Sequence, residues 1–502
     1  MAEAWDVVVV GAGTSGCALA ARLADAGRRV LVLEAGADHP DGFPPELTDA
    51  ATMRATAPGH PANWDLAGEL LDGRTVPLPR GRVVGGSSAV NAGYFIRGTR
   101  ADFDGWAAAG NSLWSYEAVL PAFRRSESDR EFGGSPVHGD AGPVPVRRVG
   151  AGHPLADAFA AAAEELGYPA EPDKNSGDGP PGYGPVPLDI ADGVRVNTAM
   201  AYLSPRRGAG GPTVRGGVRV LRVQVEGGRA VGVVTGDGVI GAAEVVLSAG
   251  AVGSPHLLLL SGIGPADQLR RAGIDVVADV PGVGADFTDH PNVYVSYRPA
   301  GPVPVGPLPL HGVLHAVSSD GPASGDLEVL PWLTPFSRIT GGSDSGELSI
   351  GVGLMREESR GQLSVDGADP RRQPRIDYHY LTEAADRRRL REGVRLAAEL
   401  LATRSLAPLV AARTGLPDDV LIDDGELDRW IRAHLTTAIH LSGTARMGPD
   451  GDPGAVVDQE LRVRGLDGLR VVDTSVMPRV TSRGPAATAV MLGERAAELL
   501  TS

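Results

Sequence analysis

A strand, a glycine-spaced turn, a helix, a second strand and an acid follow one another at the start of the chain. That order constrains the fold more than anything after it. Asp6-Val7-Val8-Val9-Val10 is a short apolar run rich in β-branched residues, the pattern of a strand buried on both faces. Gly11-Ala12-Gly13-Thr14-Ser15-Gly16 follows at once, then a helical stretch from Cys17 to Leu23, then Val30-Leu31-Val32-Leu33 and Glu34. Gly11 permits the tight turn, Gly13 lets the backbone approach a pyrophosphate, and Gly16 lets helix and strand pack closely. The phosphates are expected on the free amides of the helix N-terminus, with the Glu34 carboxylate on a ribose hydroxyl. The reading is a dinucleotide-binding fold.

Further strands are predicted from Val218 to Val225, Ala230 to Val234 and Glu244 to Ser248, and a late one from Leu469 to Asp473. Glu244 to Ser248 is apolar on both faces, so it is assigned to the same parallel sheet as the first strand. Helices are predicted in two pieces over 104–126, from Leu155 to Leu166, from Glu383 to Leu401, from Glu426 to His434 and from Ala486 to Leu500. The stretch up to Arg80 reads as loop, and 300–346 is too rich in Gly, Pro and Ser to read. Dinucleotide elements thus occur at both ends and in the middle. The expected fold class is α/β: a Rossmann-like parallel sheet built from discontinuous segments, plus an inserted α+β substrate domain with an antiparallel sheet. The divisions are 1–290, mainly cofactor-binding; 291–430, mainly substrate-binding; and 431–502, returning to the cofactor domain.

Composition excludes several classes. A formal net charge of −15, with no clustered basic surface, argues against nucleic acid as a partner. There is no apolar run long enough for a membrane span. Met1 leads almost directly into the first strand, leaving no room for a signal peptide, and Cys17 stands alone, so no internal disulfide forms. A reducing cytoplasm is the expected location. No metal site is predicted, and nothing sets an oligomeric state.

Two long segments carry more information than the opening glycines. Gly81-Arg82-Val83-Val84-Gly85-Gly86-Ser87-Ser88-Ala89-Val90-Asn91, continuing to Phe95, Gly98 and Asp104, resembles the first signature of the glucose–methanol–choline (GMC) family of FAD-dependent oxidoreductases. The segment from Gly250 to Gly264 resembles the second. His440-Leu441-Ser442-Gly443-Thr444-Ala445-Arg446-Met447-Gly448 resembles the family's active-site segment, and Val472 to Pro478 its late cofactor-contacting turn. The resemblance implies FAD as cofactor. By position, Gly11, Gly13, Gly16 and Glu34 bind the ADP half, and Val220 meets the adenine through its backbone. Gly86, Ser87, Asn91 and Gly93 line the pyrophosphate and flavin, with Asp473 in the late turn. Some members attach FAD covalently through a histidine just before the matched Asn91; here that residue is Val90, so non-covalent FAD is expected.

The resemblance further implies oxidation of a small-molecule alcohol to a carbonyl, with hydride passing to flavin N5 and His440 as base. An imidazole suits that task because its ordinary pKa lies near working pH. His434 and His290 are assigned structural roles. The family's second active-site His or Asn is missing: in Ser482-Arg483-Gly484-Pro485-Ala486-Ala487-Thr488 the expected amide position is Gly484. Arg483 is the candidate replacement, alongside a ligand from another segment, a water, or His440 acting alone. The electron acceptor is O2 or an electron carrier. This Ser-Arg-Gly-Pro variant and the composition resemble the mycofactocin-associated dehydrogenase branch, for which the carrier is expected. The alternative reading is an FAD-containing lyase, similar to hydroxynitrile lyases, without net redox turnover.

Overall fold

The structure, a computed structural model, describes residues 5–208, 210–304, 306, 308–342 and 345–501. The opening segment forms as the sequence requires. Trp5–Val10 is a strand, Thr14–Asp25 a helix and Val30–Leu33 a strand, with Val7, Val8 and Val9 fully buried. Val7–Val10 pairs in parallel with Val30–Leu33 on one side and with the end of the Gly238–Leu247 strand on the other. Thr213–Arg215 extends the parallel sheet beyond Val30–Leu33, and Leu469–Val471 pairs with Gly238–Leu247. The other half of Gly238–Leu247 turns antiparallel against Arg229–Thr235, which in turn pairs with Val220–Glu226. This seven-stranded sheet therefore draws on widely separated stretches of chain. The closing helix Ala486–Thr501 packs on Thr14–Asp25 at backbone distance: a Cβ on Gly493 would lie 2.4 Å from the Ser15 oxygen. Cys17 is buried in that first helix, its thiol 3.1 Å from the Ala12 carbonyl.

The second seven-stranded sheet is antiparallel, in the order Val410–Thr414, Pro291–Pro299, Leu348–Leu354, Leu327–Trp332, Gly312–Ala316, Tyr183–Pro185. Thr436–Thr437 pairs with its Pro291–Pro299 strand. The amphipathic helix Ala384–Ala402 covers one face, where a Cβ on Gly393 would lie 2.7 Å from a Val352 methyl. This sheet is wider than 291–430: it takes one strand from within the first predicted division and one from the third. Two further departures concern unread segments. Leu66–Leu71 and Arg74–Leu78 form a hairpin where a loop was expected. Gly312–Ala316 and Leu327–Trp332 are buried strands inside the Gly/Pro-rich stretch. Met1–Ala4, on which the absence of a leader was argued, lie outside the described residues. Among the described residues no helix is long and apolar enough to cross a membrane.

Candidate active site

One cavity of about 1340 Å³ is walled by both sheets. On the parallel-sheet side its floor is the first turn. Gly11 has φ +101°, and a Cβ there would sit 2.4 Å from the Ser248 oxygen; on Gly16 it would sit 2.2 Å from the Gly11 oxygen. Gly13 differs. The nearest protein atom to its Cβ position is the Ser248 oxygen at 3.7 Å, so the protein leaves room there and the glycine keeps the cavity wall low. That is the open backbone a pyrophosphate needs above a helix N-terminus.

Glu34 is fixed beside this turn. Its Oε2 accepts from the Ala12 amide at 3.1 Å and its Oε1 from the Gly36 amide at 2.8 Å. Burial pushes the carboxyl up to about 7 against the pull of those amides. The signature loop lies against the turn: with φ +55°, a Cβ on Gly86 would be 2.6 Å from the Gly13 Cα. Ser87 Oγ accepts from the Gly81 amide, and Asn91 Oδ1 from the Gly93 amide. Asp473 Oδ2 accepts from the Gly250 amide and Ser254 Oγ, and its Oδ1 from the Ser475 amide. This ties the late turn to the start of helix Gly250–Leu260.

Gly11, Gly13, Glu34, Gly86, Ser87, Asn91, Val220 and Asp473 all line the cavity, as does Val90. Gly16 and Gly93 stand behind the wall. Gly16 is buried under the turn, and Gly93, at φ +71°, backs onto Asp189 and Ile190.

His440 faces the same cavity from the other side. Its Nδ1 is 2.9 Å from His290 Nδ1, with the two rings edge to face at 83°. Its Nε2 points toward Gly484, where a Cβ would be 3.5 Å away. Asp289 holds both backbones: Oδ1 accepts from the His290 amide at 2.7 Å and the His440 amide at 2.8 Å, and Oδ2 from Thr437 Oγ1 at 2.7 Å. Ile439 takes φ +65°, a strained conformation for a β-branched residue, pinned by Thr437 Oγ1 on its amide and Arg80 on its carbonyl. Burial, and then the Arg80 guanidinium, push the His440 imidazole down to about 3. Burial and His440 likewise hold His290 well below its ordinary value. Both rings are therefore neutral.

Arg483 is not part of the cavity lining, although Gly484, Pro485 and Ala486 are. Its guanidinium turns back onto the carbonyls of Ser482 at 2.7 Å and Ser324 at 3.1 Å. His434 is exposed, stacks on Trp430 and bonds the Trp430 carbonyl, a helix-end role. Sequence reading missed Arg80 and Asp289 as members of the site, and Glu328 in its far wall. Asp289 was visible only as the residue before His290.

The family model for the N-terminal part of GMC oxidoreductases matches residues 5–292, and that for the C-terminal part residues 357–493. A Rhodococcus erythropolis protein described as an uncharacterised GMC-type oxidoreductase is 41% identical, over 99% of this chain and 98% of its own. The oxygen-dependent choline dehydrogenase of Vibrio vulnificus is 35% identical, over 100% of this chain and 95% of its own. The crystal structure of pyridoxine 4-oxidase from Mesorbium loti superimposes with a TM-score of 0.90 at 33% identity, covering 98% of each chain. The chain belongs to the GMC oxidoreductase family and is an FAD-dependent oxidoreductase.

Proposed function

We propose that this protein oxidises a small-molecule alcohol to a carbonyl compound and that His440 takes the hydroxyl proton. The residues present suit FAD. The low wall at Gly13, the amides of the first turn, the Glu34 carboxylate and the loop from Gly86 to Asn91 border a single cavity that continues to His440. When bound, FAD supplies at N5 the acceptor for the hydride that leaves the carbinol carbon. Val90 offers no nucleophile at the attachment position, so the cofactor is held non-covalently and acid-unfolded protein releases its flavin to the supernatant.

The observation that carries the reading is the His290–His440 pair. In this reading His290 carries its proton on Nε2, so that its Nδ1 accepts from His440 Nδ1–H across their 2.9 Å contact. His440 Nε2 then presents a lone pair to the cavity, with the ring fixed in orientation by its partner. Gly484 leaves the space beside Nε2 free for a hydroxyl, which can lie within hydrogen-bond reach of the base. With Arg483 turned away, no side chain at 483 or 484 shares that hydroxyl. His440 acts with His290 behind it, and Arg80, which opposes a proton on His440, favours the negative charge that develops on the substrate oxygen as the proton leaves.

An anaerobic titration of the holoprotein with a panel of alcohols, followed by flavin absorbance, tests this reading. Bleaching by one class of alcohol is expected, and admission of air then reads the acceptor directly. No bleaching across primary, secondary, aliphatic and aromatic alcohols would overturn it.

A further inference from the structure

We propose that Glu328 is the specificity-determining residue at the far end of the cavity, and that it recognises an elongated alcohol carrying a protonated amine. The inference rests on the alcohol-oxidising reading above and adds the class of alcohol.

The far wall is one face of the antiparallel sheet. Glu328, Leu330 and Trp332 alternate along one strand and point the same way. In register with them on the neighbouring strand stand Gly353 and Gly351, and beyond these Asn292 and Tyr294. Neither glycine has a positive φ, and a Cβ on Gly351 would meet its neighbours at no less than 3.4 Å. Backbone geometry does not demand glycine here; the pair leaves a side-chain-free trough in the middle of the wall. Aromatic surface from Tyr94, Tyr294 and Trp332 borders it.

At one end of this trough lies a carboxylate with half of its acceptors spent. Glu328 is 8% exposed. Its Oε2 takes the Tyr94 hydroxyl at 3.3 Å and His315 Nε2 at 3.2 Å. The proton on His315 is assignable because Lys174 Nζ lies 3.2 Å from His315 Nδ1. An ammonium only donates, so Nδ1 accepts and Nε2–H donates to Glu328. Lys174, the only lysine in the sequence, is itself spent on Glu171 and the Gly182 carbonyl. Arg483 is spent on backbone carbonyls. Oε1 of Glu328 has no partner among the described residues and is not closed off from solvent. Burial raises the Glu328 pKa, while Arg483, the Tyr94 hydroxyl and Lys174 work to keep it ionised.

A carboxylate oxygen left free in a wall that is aromatic and apolar but for Asn292 is a site for a charged N–H donor, and aromatic faces also favour a cation. An anion is repelled there. Distance sets the shape of the ligand. The row Thr436, Asn292, Gly353, Glu328 crosses three strand spacings, about 14 Å, and His440 follows Thr436 closely in the chain. Hydroxyl and nitrogen therefore belong at opposite ends of the substrate rather than on adjacent carbons.

The test uses the holoenzyme and three alcohols of one shape: 4-(aminomethyl)benzyl alcohol, 4-ethylbenzyl alcohol and 4-(hydroxymethyl)benzoate. Binding of 4-methylbenzylamine, which lacks the hydroxyl, is read separately from its perturbation of the flavin spectrum. The expected order of kcat/KM is cation, neutral, anion, with cation over neutral by about 10²-fold and the ratio falling to a few-fold in Glu328→Gln. Equal use of cation and neutral alcohol, or a ratio unchanged in Glu328→Gln, would overturn the proposal. Should the variant fail to retain FAD, the wild-type order alone decides. Should no alcohol reduce the flavin, binding of 4-methylbenzylamine to wild type but not to Glu328→Gln upholds Glu328 and rejects alcohol oxidation. Failure of that amine to bind wild type overturns the role of Glu328.

Discussion

His138 is fully buried and His440 half-buried at the cavity wall, and their surroundings drive the two imidazoles to opposite charge states. His138 is wrapped in carboxylates: Nδ1 lies 2.7 Å from Glu127 Oε1 and 3.2 Å from Asp129 Oδ2, and Nε2 lies 2.9 Å from Asp173 Oδ2. Burial opposes its charge, but hydrogen bonds to Asp129, Asp173 and Glu127 outweigh it and hold the imidazole up at about 10. Glu127, Asp129 and His138 are close enough to suit a metal ion, yet Arg97 and Arg148 already occupy the same carboxylates. His440 has no carboxylate on its ring. Its partner is another histidine, and burial first and the Arg80 guanidinium second push its pKa down to about 3. The first is a fixed cation that closes a carboxylate cluster; the second is a neutral imidazole open to a cavity. Burial opposes the charge on both and does not separate them. The partner set and the open side do.

Exchanging each for alanine breaks the comparison most sharply. His440→Ala is expected to slow flavin reduction by an alcohol about 10²–10⁴-fold while FAD content, read from absorbance, stays near one per chain. His138→Ala is expected to do the reverse. Removing the cation leaves the three carboxylates Glu127, Asp129 and Asp173 with only Arg97 and Arg148 to balance them, at about 3–5 kcal/mol of stability in denaturant unfolding, with little change in rate per folded molecule. A His440→Ala variant that kept its rate would sink the assignment of the base, and a His138→Ala variant of unchanged stability would sink the fixed cation.

The same contrast predicts how stability depends on pH. For His138 the folded pKa is raised from 6.5 to about 10, so its contribution is full below 6.5 and is lost as pH rises to 10. For His440 the folded pKa is lowered to about 3, so the unfolded chain binds the extra proton between about 3 and 6.5. Its contribution is full above 6.5 and is lost as pH falls. Denaturation midpoints should therefore decline on both sides of neutrality. His138→Ala flattens the alkaline limb and His440→Ala the acid limb; a variant flattening the opposite limb would refute the assigned charge states.

The two walls of the cavity were unequally legible in the sequence, for a physical reason. Gly11, Gly13 and Gly86 act through backbone geometry, and a glycine's lack of a side chain is written in the residue itself. The far wall is built by juxtaposition. Leu327–Trp332 is buried on both faces, so no alternation marks it as a strand, and Pro331 argues against one. Glu328 reads as a stray charge until His315, Tyr94 and Gly353 are brought beside it from other strands. The His290–His440 pair was likewise out of reach, because 150 residues of chain separate two ring nitrogens 2.9 Å apart. Arg483 was legible as an oddity but not as a group turned away from the cavity. Which way a side chain leaves a loop depends on carbonyls, here those of Ser324 and Ser482, that the local sequence does not place.

Gly484 offers the finest probe of the open side of His440. A Cβ there would lie 3.5 Å from Nε2, 3.6 Å from Cε1 and 3.6 Å from an Ile96 methyl, all ordinary contacts, and the residue has no positive φ. Gly484→Ala should therefore fold as wild type, within about 0.5 kcal/mol. The added methyl nevertheless enters the space in which a substrate hydroxyl would reach Nε2. Flavin reduction should then slow by about tenfold, through displacement of the hydroxyl rather than loss of the base. The pH dependence of the rate should keep its wild-type shape, since the methyl touches neither His290 nor Arg80. An unaltered rate would mean that the hydroxyl approaches His440 from another side, and the reading of Gly484 as the open position would fall while the role of His440 stood.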